Sequence, residues 1–388
     1  MSDSMIKIKI EKLLQWIELS RSNLKHNVSL IKSFTKKGTE IAALLKANAY
    51  GHGIKEMAKL YYSEGIVLLM VHSLEEALIL KTLKLKVRII IIGPLSSSGV
   101  ETALKNNFEI TVYQIDTLKL CKNLQKNIKK PCKIHLKIET GTQRQGLNIQ
   151  DIPLFIKKLK SVENLKLMGL SSHFANVEDT SDTEYYQKQL HLFKQANNQF
   201  VKAGIKFKSL HFACSAAVFL YPETHFNIIR PGISMYGYYS SPQLKEIFNH
   251  KNTLKPVLSW KTRISQIKVV SKNEGIGYGL TFKTSRKSRI AVLPIGYYDG
   301  YDRGLSNSGI CLLHGKRAVV RGRVCMNMIM IDVTDIKQAK VGDVVTLIGS
   351  SGKETVTADD LATLTNTISY EVLARLNPLI PKIVVERK

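Results

Sequence analysis

Hydrophobic and polar positions fall into two textures along this chain. Up to about residue 250, short apolar runs alternate with segments of helical spacing. The runs are IAALLK (41–46), VLLMV (67–71), VRIIII (87–92), ITVY (110–113), KIHLKI (133–138), LKLMGLSSHF (165–174), SLHFA (209–213) and IIRPGI (228–233). Between them, segments such as SLEEALILKTLK (73–84) and YYQKQLHLFKQANNQFVKAG (185–204) repeat apolar residues every three or four positions. Repeated strand–helix units imply a parallel sheet covered by helices. Eight such strands predict an α/β fold closed into a (β/α)8 TIM-type barrel, with its site at the C-terminal strand ends. The barrel domain is expected over 14–250. One further run, WIEL (16–19), precedes the first barrel strand and need not belong to the barrel.

After residue 250 the pattern changes. LSWKTRISQIKVVSK (258–272), RIAVLPIG (289–296), GICLLHGKRAVVRGRV (309–324), MIMIDVTD (328–335) and GDVVTLIG (342–349) alternate in strand fashion, with Gly and Asn between them. No long helix intervenes. This predicts a mostly antiparallel β domain over 251–388, with which residues 1–13 are expected to associate. TADDLATLTNTISYEVLARL (357–376) reads as two short helices, the first capped by Thr357 with Asp360 three residues on.

Composition narrows the class. The chain has 388 residues, 44% hydrophobic and 23% charged, an ordinary globular mix that excludes a disordered or collagen-like protein. Its apolar runs are too short to span a bilayer. The N-terminus lacks the apolar core of a signal peptide. A cytoplasmic protein without membrane contact is expected. Five cysteines without CxxC spacing argue against a disulfide framework or a zinc site, so no metal is expected. The net charge of +26 admits two readings, a nucleic-acid surface or a lysine-rich exterior. The lysines are scattered and no nucleic-acid motif accompanies them, so no nucleic-acid partner is expected.

The candidate chemistry begins at ALLKANAYGHG (43–53). Lys46 lies at the end of an apolar strand, where a barrel places its site. A lysine emerging there is either an ordinary strand-end residue or an amine primed for Schiff-base chemistry. His173, His211 and Ser215 also fall at strand ends, in SSHFANVED (171–179) and HFACSAA (211–217). A strand-end histidine is either a satisfied core residue or part of a site.

The segment Lys-Ala-Asn-Ala-Tyr-Gly-His-Gly resembles the cofactor-lysine motif of alanine racemases. The resemblance runs from WIELSRSNLKHN (16–27) to ISYEVLARL (368–376), with several motifs in the family's order. It implies a pyridoxal 5'-phosphate enzyme that interconverts L- and D-alanine by two bases and supplies D-alanine for peptidoglycan. It also implies a homodimer with shared active sites. By the match, Lys46 would carry the cofactor as a Schiff base and serve one face of Cα. Tyr278, in GIGYGLTF (275–282), would be the base on the other face, supplied by the partner subunit.

KIETGTQRQG (137–146) resembles the motif in which Arg144 contacts the cofactor's phenolic oxygen and Lys137 is often carbamylated. Glu139 and Thr142 replace the family's usual Asp and Met. IIRPGISMYG (228–237) matches the Arg-Pro-Gly-Ile signature, which would set Arg230 against the pyridine nitrogen. An arginine donates there but does not readily give up its proton, so the ring stays a weak electron sink and racemisation is favoured. The backbone of Gly232 and Ile233, with Ser215, Tyr50 and Tyr370, would hold the phosphate. His173 and His211 would belong to the hydrogen-bonded chain around Arg230. Tyr297 and Met326 would shape the substrate pocket, Asn327 replaces a commoner Asp, and Cys214 stands where Asn is usual.

A decarboxylase on the same scaffold would pair the ring nitrogen with a carboxylate, which Arg230 opposes. A lone-barrel carrier of the cofactor would lack the segment after residue 250.

Overall fold

In the computed structural model, residues 10–125, 127–128, 130–179, 181–248 and 253–386 are described. The expectation for residues 1–13 lies, up to residue 9, outside them. The chain divides into two compact units. One comprises Leu24–Ala49 and Ile54–Lys255; the other comprises the residues up to Asn23, Tyr50–Gly53 and those from Pro256 on.

The first unit is a closed barrel of eight parallel strands, numbered after β1 (Gln15–Ser20) of the second unit. They are β2 (Glu40–Leu44), β3 (Leu68–Val71), β4 (Arg88–Ile91), β5 (Glu109–Val112), β6 (Cys132–Lys137), β7 (Leu165–Ser171), β8 (Leu210–His211) and β9 (Ile228–Ile229). β9 pairs back onto β2 and closes the ring. Each strand leads to a helix, from Ile54–Ser63 after β2 to Pro242–Phe248 after β9. Ser73 shows why these helices begin where they do. Its hydroxyl accepts from the Glu76 N–H, and the Glu76 carboxylate accepts from the Ser73 N–H, a reciprocal capping box.

The second unit is the expected antiparallel β domain. Its largest sheet contains β10 (Leu258–Arg263), Ile310–Leu313, Lys316–Val319 and Val344–Ser351. Here the structure differs from the expected starting point of the barrel domain. β1 (Gln15–Ser20) contains the WIEL run and pairs antiparallel with β10 and parallel with Lys382–Val385. Residues 14–23 therefore lie in this second unit, and the barrel unit starts at Leu24. The cause is a pairing more than 200 residues away in sequence, between Ile17 and Trp260. Both residues are fully buried. Thr357 caps Ala358–Leu364 in a capping box with Asp360, and Ser369–Ala374 forms the second short helix.

Candidate active site

The C-terminal strand ends of the barrel unit surround one cavity. Its lining includes Lys46, Lys137, Arg144, His173, His211 and Arg230. Four of these are cationic, and no carboxylate joins them among the described lining residues. Such a set calls for an anion.

Lys46 lies two residues beyond β2 and opens an unusual turn. Ala47, Asn48, Ala49 and Tyr50 have φ between 52 and 55°, one turn of left-handed helix without a glycine. Each such residue costs roughly 1–2 kcal/mol through its Cβ. Local hydrogen bonds hold the turn. The Asn48 side chain accepts from Ile54 N–H at 2.9 Å, and Asn48 N–H donates to Glu76 at 3.3 Å. Burial and the nearby Arg144 charge lower the Lys46 amine below its usual 10.5, while Glu76 opposes the shift.

Lys137 ends β6. Burial, then Arg230 and Arg144, bring its amine down to about 8. The loop beyond it is organised by Glu139, whose carboxylate accepts from Gly141 N–H at 2.6 Å, Arg144 N–H at 3.2 Å and the Thr142 hydroxyl at 3.0 Å. The two departures from the family motif thus work as a pair, Thr142 donating to the carboxylate that replaces the usual Asp.

Arg230 follows β9 and is nearly buried. Its guanidinium donates to His211 Nδ1 at 2.7 Å and to the carbonyls of His211 (2.5 Å), Ser172 (2.6 Å) and Phe212 (3.1 Å). Burial lowers it to about 10. Burial, followed by the Arg230 charge, drives His173 and His211 well below the ordinary histidine value, so both are neutral. Ser215 gathers the neighbouring turn: its hydroxyl oxygen accepts from Gly232 N–H at 2.9 Å and Ser234 N–H at 3.3 Å. Ile233 begins a short 3-10 turn after Gly232. Cys214 is half-buried, and desolvation raises its thiol and leaves it a poor nucleophile.

The remaining candidates lie in the second unit. Tyr278 is 72% exposed, between Gly277 and Gly279, both at positive φ. Tyr278, Tyr297, Met326 and Asn327 line one open cavity of that unit with Arg303 and Arg323. Tyr297 N–H donates to the Cys325 carbonyl and Tyr298 N–H to that of Met326, which ties the two loops together. A Cβ on Gly296 would lie 2.2 Å from both carbonyl oxygens, so only glycine permits this approach. The rings of Tyr50 and Tyr370 stand 6.1 Å apart.

Sequence reasoning missed Glu109 and His135, which hydrogen-bond beneath Arg230's partner His211. A signal existed. His135 and Lys137 are two apart on one strand and so share its inward face.

Among the described residues, no helix is long and apolar enough to cross a membrane. The alanine racemase N-terminal domain family matches residues 19–240 and the alanine racemase C-terminal domain family residues 257–384. An alanine racemase of Leptospira interrogans is 40% identical over 377 residues, 96% of each chain. The structure of alanine racemase from Bacillus anthracis with bound L-Ala-P superposes with a TM-score of 0.91 at 32% identity, covering 96% of this chain and 95% of that one. A histidine racemase from Leuconostoc mesenteroides is also similar, with a TM-score of 0.88 at 28% identity over 97% of this chain and 99% of that one. The chain belongs to the alanine racemase family.

Proposed function

We propose that this protein is an alanine racemase that uses pyridoxal 5'-phosphate. The observation that carries the reading is the amine of Lys46, lowered by burial, in a cavity with three further cations and, among the described residues, no lining carboxylate. That donor set suits an anionic carbonyl cofactor. A neutral amine can engage the carbonyl, and the cations balance the phosphate and phenolic charges. When bound, pyridoxal phosphate would stabilise the negative charge left on an amino acid that loses its α-proton.

The chain's own groups then divide the work. Lys46 Nζ takes or returns the α-proton on one face, and Tyr278 Oη does so on the other. Two bases are required because inversion removes a proton from one side and delivers one to the opposite side. Arg230 offers only N–H donors, so it orients the ring nitrogen without readily protonating it. Ser215 and the backbone of Gly232 and Ile233 hold the phosphate. Arg144 holds the phenolic oxygen and the substrate side, and His173 lines the same cavity. Tyr297 and Met326 bound the pocket for a small side chain. Lys137, brought down to about 8, has an accessible neutral amine, the form that adds carbon dioxide to become a carbamate.

The exposed Tyr278 suits a base offered to a second copy of the chain, so the active form is a homodimer with shared sites. The product would serve cell-wall synthesis in the cytoplasm.

The test is reduction with borohydride followed by peptide mapping. The cofactor should become fixed to Lys46; label on another lysine, or none, overturns the assignment. Subunit mixing tests the dimer. Lys46→Ala and Tyr278→Ala chains, each inactive alone, should regain roughly a quarter of the activity when mixed, since about half the dimers are mixed and each holds one intact site. No recovery in proven heterodimers overturns the shared site.

A further inference from the structure

The barrel interior is split. Ala42, Leu68, Met70, Ile90 and Ile228, on β2, β3, β4 and β9, form a fully apolar cluster. Across β5, β6 and β8 a buried polar column takes its place. Glu109 Oε2 lies 2.7 Å from His135 Nε2, His135 Nδ1 lies 2.9 Å from His211 Nε2, and His211 Nδ1 lies 2.7 Å from an Arg230 nitrogen. At the foot, Arg88 donates to both Glu109 oxygens, at 2.9 and 3.1 Å, and to Glu40 at 3.0 Å.

The polarity of this chain follows from its ends. A guanidinium only donates, so His211 Nδ1 must accept. A neutral His211 then carries its proton on Nε2 and donates to His135 Nδ1. His135 in turn carries its proton on Nε2 and donates to Glu109. The carboxylate only accepts, so both ends demand the same direction. We propose that Glu109 and His135 are positioning residues: the Glu109 carboxylate, gripped by Arg88, locks both histidines as Nε2–H forms and keeps His211 Nδ1 open to receive Arg230. The inference rests on the racemase reading, since it gives Arg230 its purpose.

Two further observations agree. Burial lowers His135 and drives His211 well below the usual value, so neither is an imidazolium. Burial would raise the Glu109 carboxyl, but hydrogen bonds from His135 and Arg88 hold it down to about 2, so it stays an acceptor. The backbone also makes room for the column. The β6–β7 register slips between Ile134 and His135, which sets Gly169 opposite His135. A Cβ on Gly169 would lie 2.3 Å from His135 Nδ1 and 2.9 Å from His211 Nε2. Glycine is thus required at the point where the two rings meet.

The experiment is nitrogen-15 NMR of histidine-labelled holoenzyme, with kinetics of Glu109→Gln and Gly169→Ala. In the native protein, His135 and His211 should both show a protonated Nε2 and a bare Nδ1. A protonated Nδ1 on either ring overturns the proposal. In each variant the His211 resonances should move, although Glu109 does not touch that ring. Racemase kcat should fall about tenfold or more with KM within about threefold, by analogy with the loss of the hydrogen-bond partner behind a metal-bound histidine. Unchanged kcat, or a fall in kcat with His211 unmoved, overturns it. Should Glu109→Gln fail to fold, Gly169→Ala and the native tautomers still decide. A native protein with the expected tautomers but no racemase activity would sink the functional reading and leave the column standing.

Discussion

Replacing Arg230 by methionine tests the keystone of the cavity. The change keeps an unbranched side chain and removes every donor. Four buried acceptors lose their partner: His211 Nδ1 and the carbonyls of His211, Ser172 and Phe212. At about 1–3 kcal/mol for each acceptor left unpaired, the loss is roughly 4–12 kcal/mol. Part returns because a buried charge disappears. The fall of Arg230 from its ordinary value to about 10 corresponds to about 3 kcal/mol of unfavourable burial. The expected net loss is about 5 kcal/mol, a third or more of an ordinary domain's stability. Arg230→Lys keeps a charge and three donors but not the planar fork, so it should fall between. Urea unfolding followed by circular dichroism measures both variants. A loss below about 1 kcal/mol for Arg230→Met would refute the hydrogen-bond reasoning.

Ala47 is exposed and left-handed, so Ala47→Gly should stabilise the protein by about 1 kcal/mol, read from the unfolding midpoint; destabilisation would show that its methyl group packs. Glu109 is held near 2 in the fold against an ordinary 4.5, so its contribution is present above about 4.5 and is lost as pH falls toward 2. Native protein should therefore lose more stability than Glu109→Gln between pH 5 and about 2.5, and parallel acid-unfolding curves would contradict this. With Lys137 brought down to about 8, removing carbon dioxide and bicarbonate should lower activity reversibly and bicarbonate should restore it, while Lys137→Ala should not respond; indifference of the native enzyme argues for a plain lysine.

Much of this architecture was legible because the governing forces are local. Eight apolar runs bounded by helical spacing are what a buried parallel strand looks like in sequence, and each became a barrel strand. The candidate residues around Lys46, Arg144, His211 and Arg230 were visible because each sits in a short motif at a strand end. Other features depend on contacts that sequence order hides. The pairing of β1 with β10 and Lys382–Val385 joins opposite ends of the chain, so residues 14–23 left the unit to which they had been assigned. The left-handed turn after Lys46 runs against intrinsic preference, since Ala-Asn-Ala-Tyr offers no glycine. The buried column needed two invisible facts, a register slip in β7 and an absent side chain at Gly169.

A chiral assay of the purified protein supplied with pyridoxal 5'-phosphate reads the racemisation itself. Alanine, serine and histidine are offered separately, each as its L enantiomer, and Lys46→Ala serves as the blank. L-alanine should run to an equal mixture of enantiomers, alanine should be turned over fastest, and the Lys46→Ala protein should form no D-alanine. Absence of D-alanine from cofactor-loaded native protein, or faster racemisation of histidine than of alanine, would contradict the proposed activity.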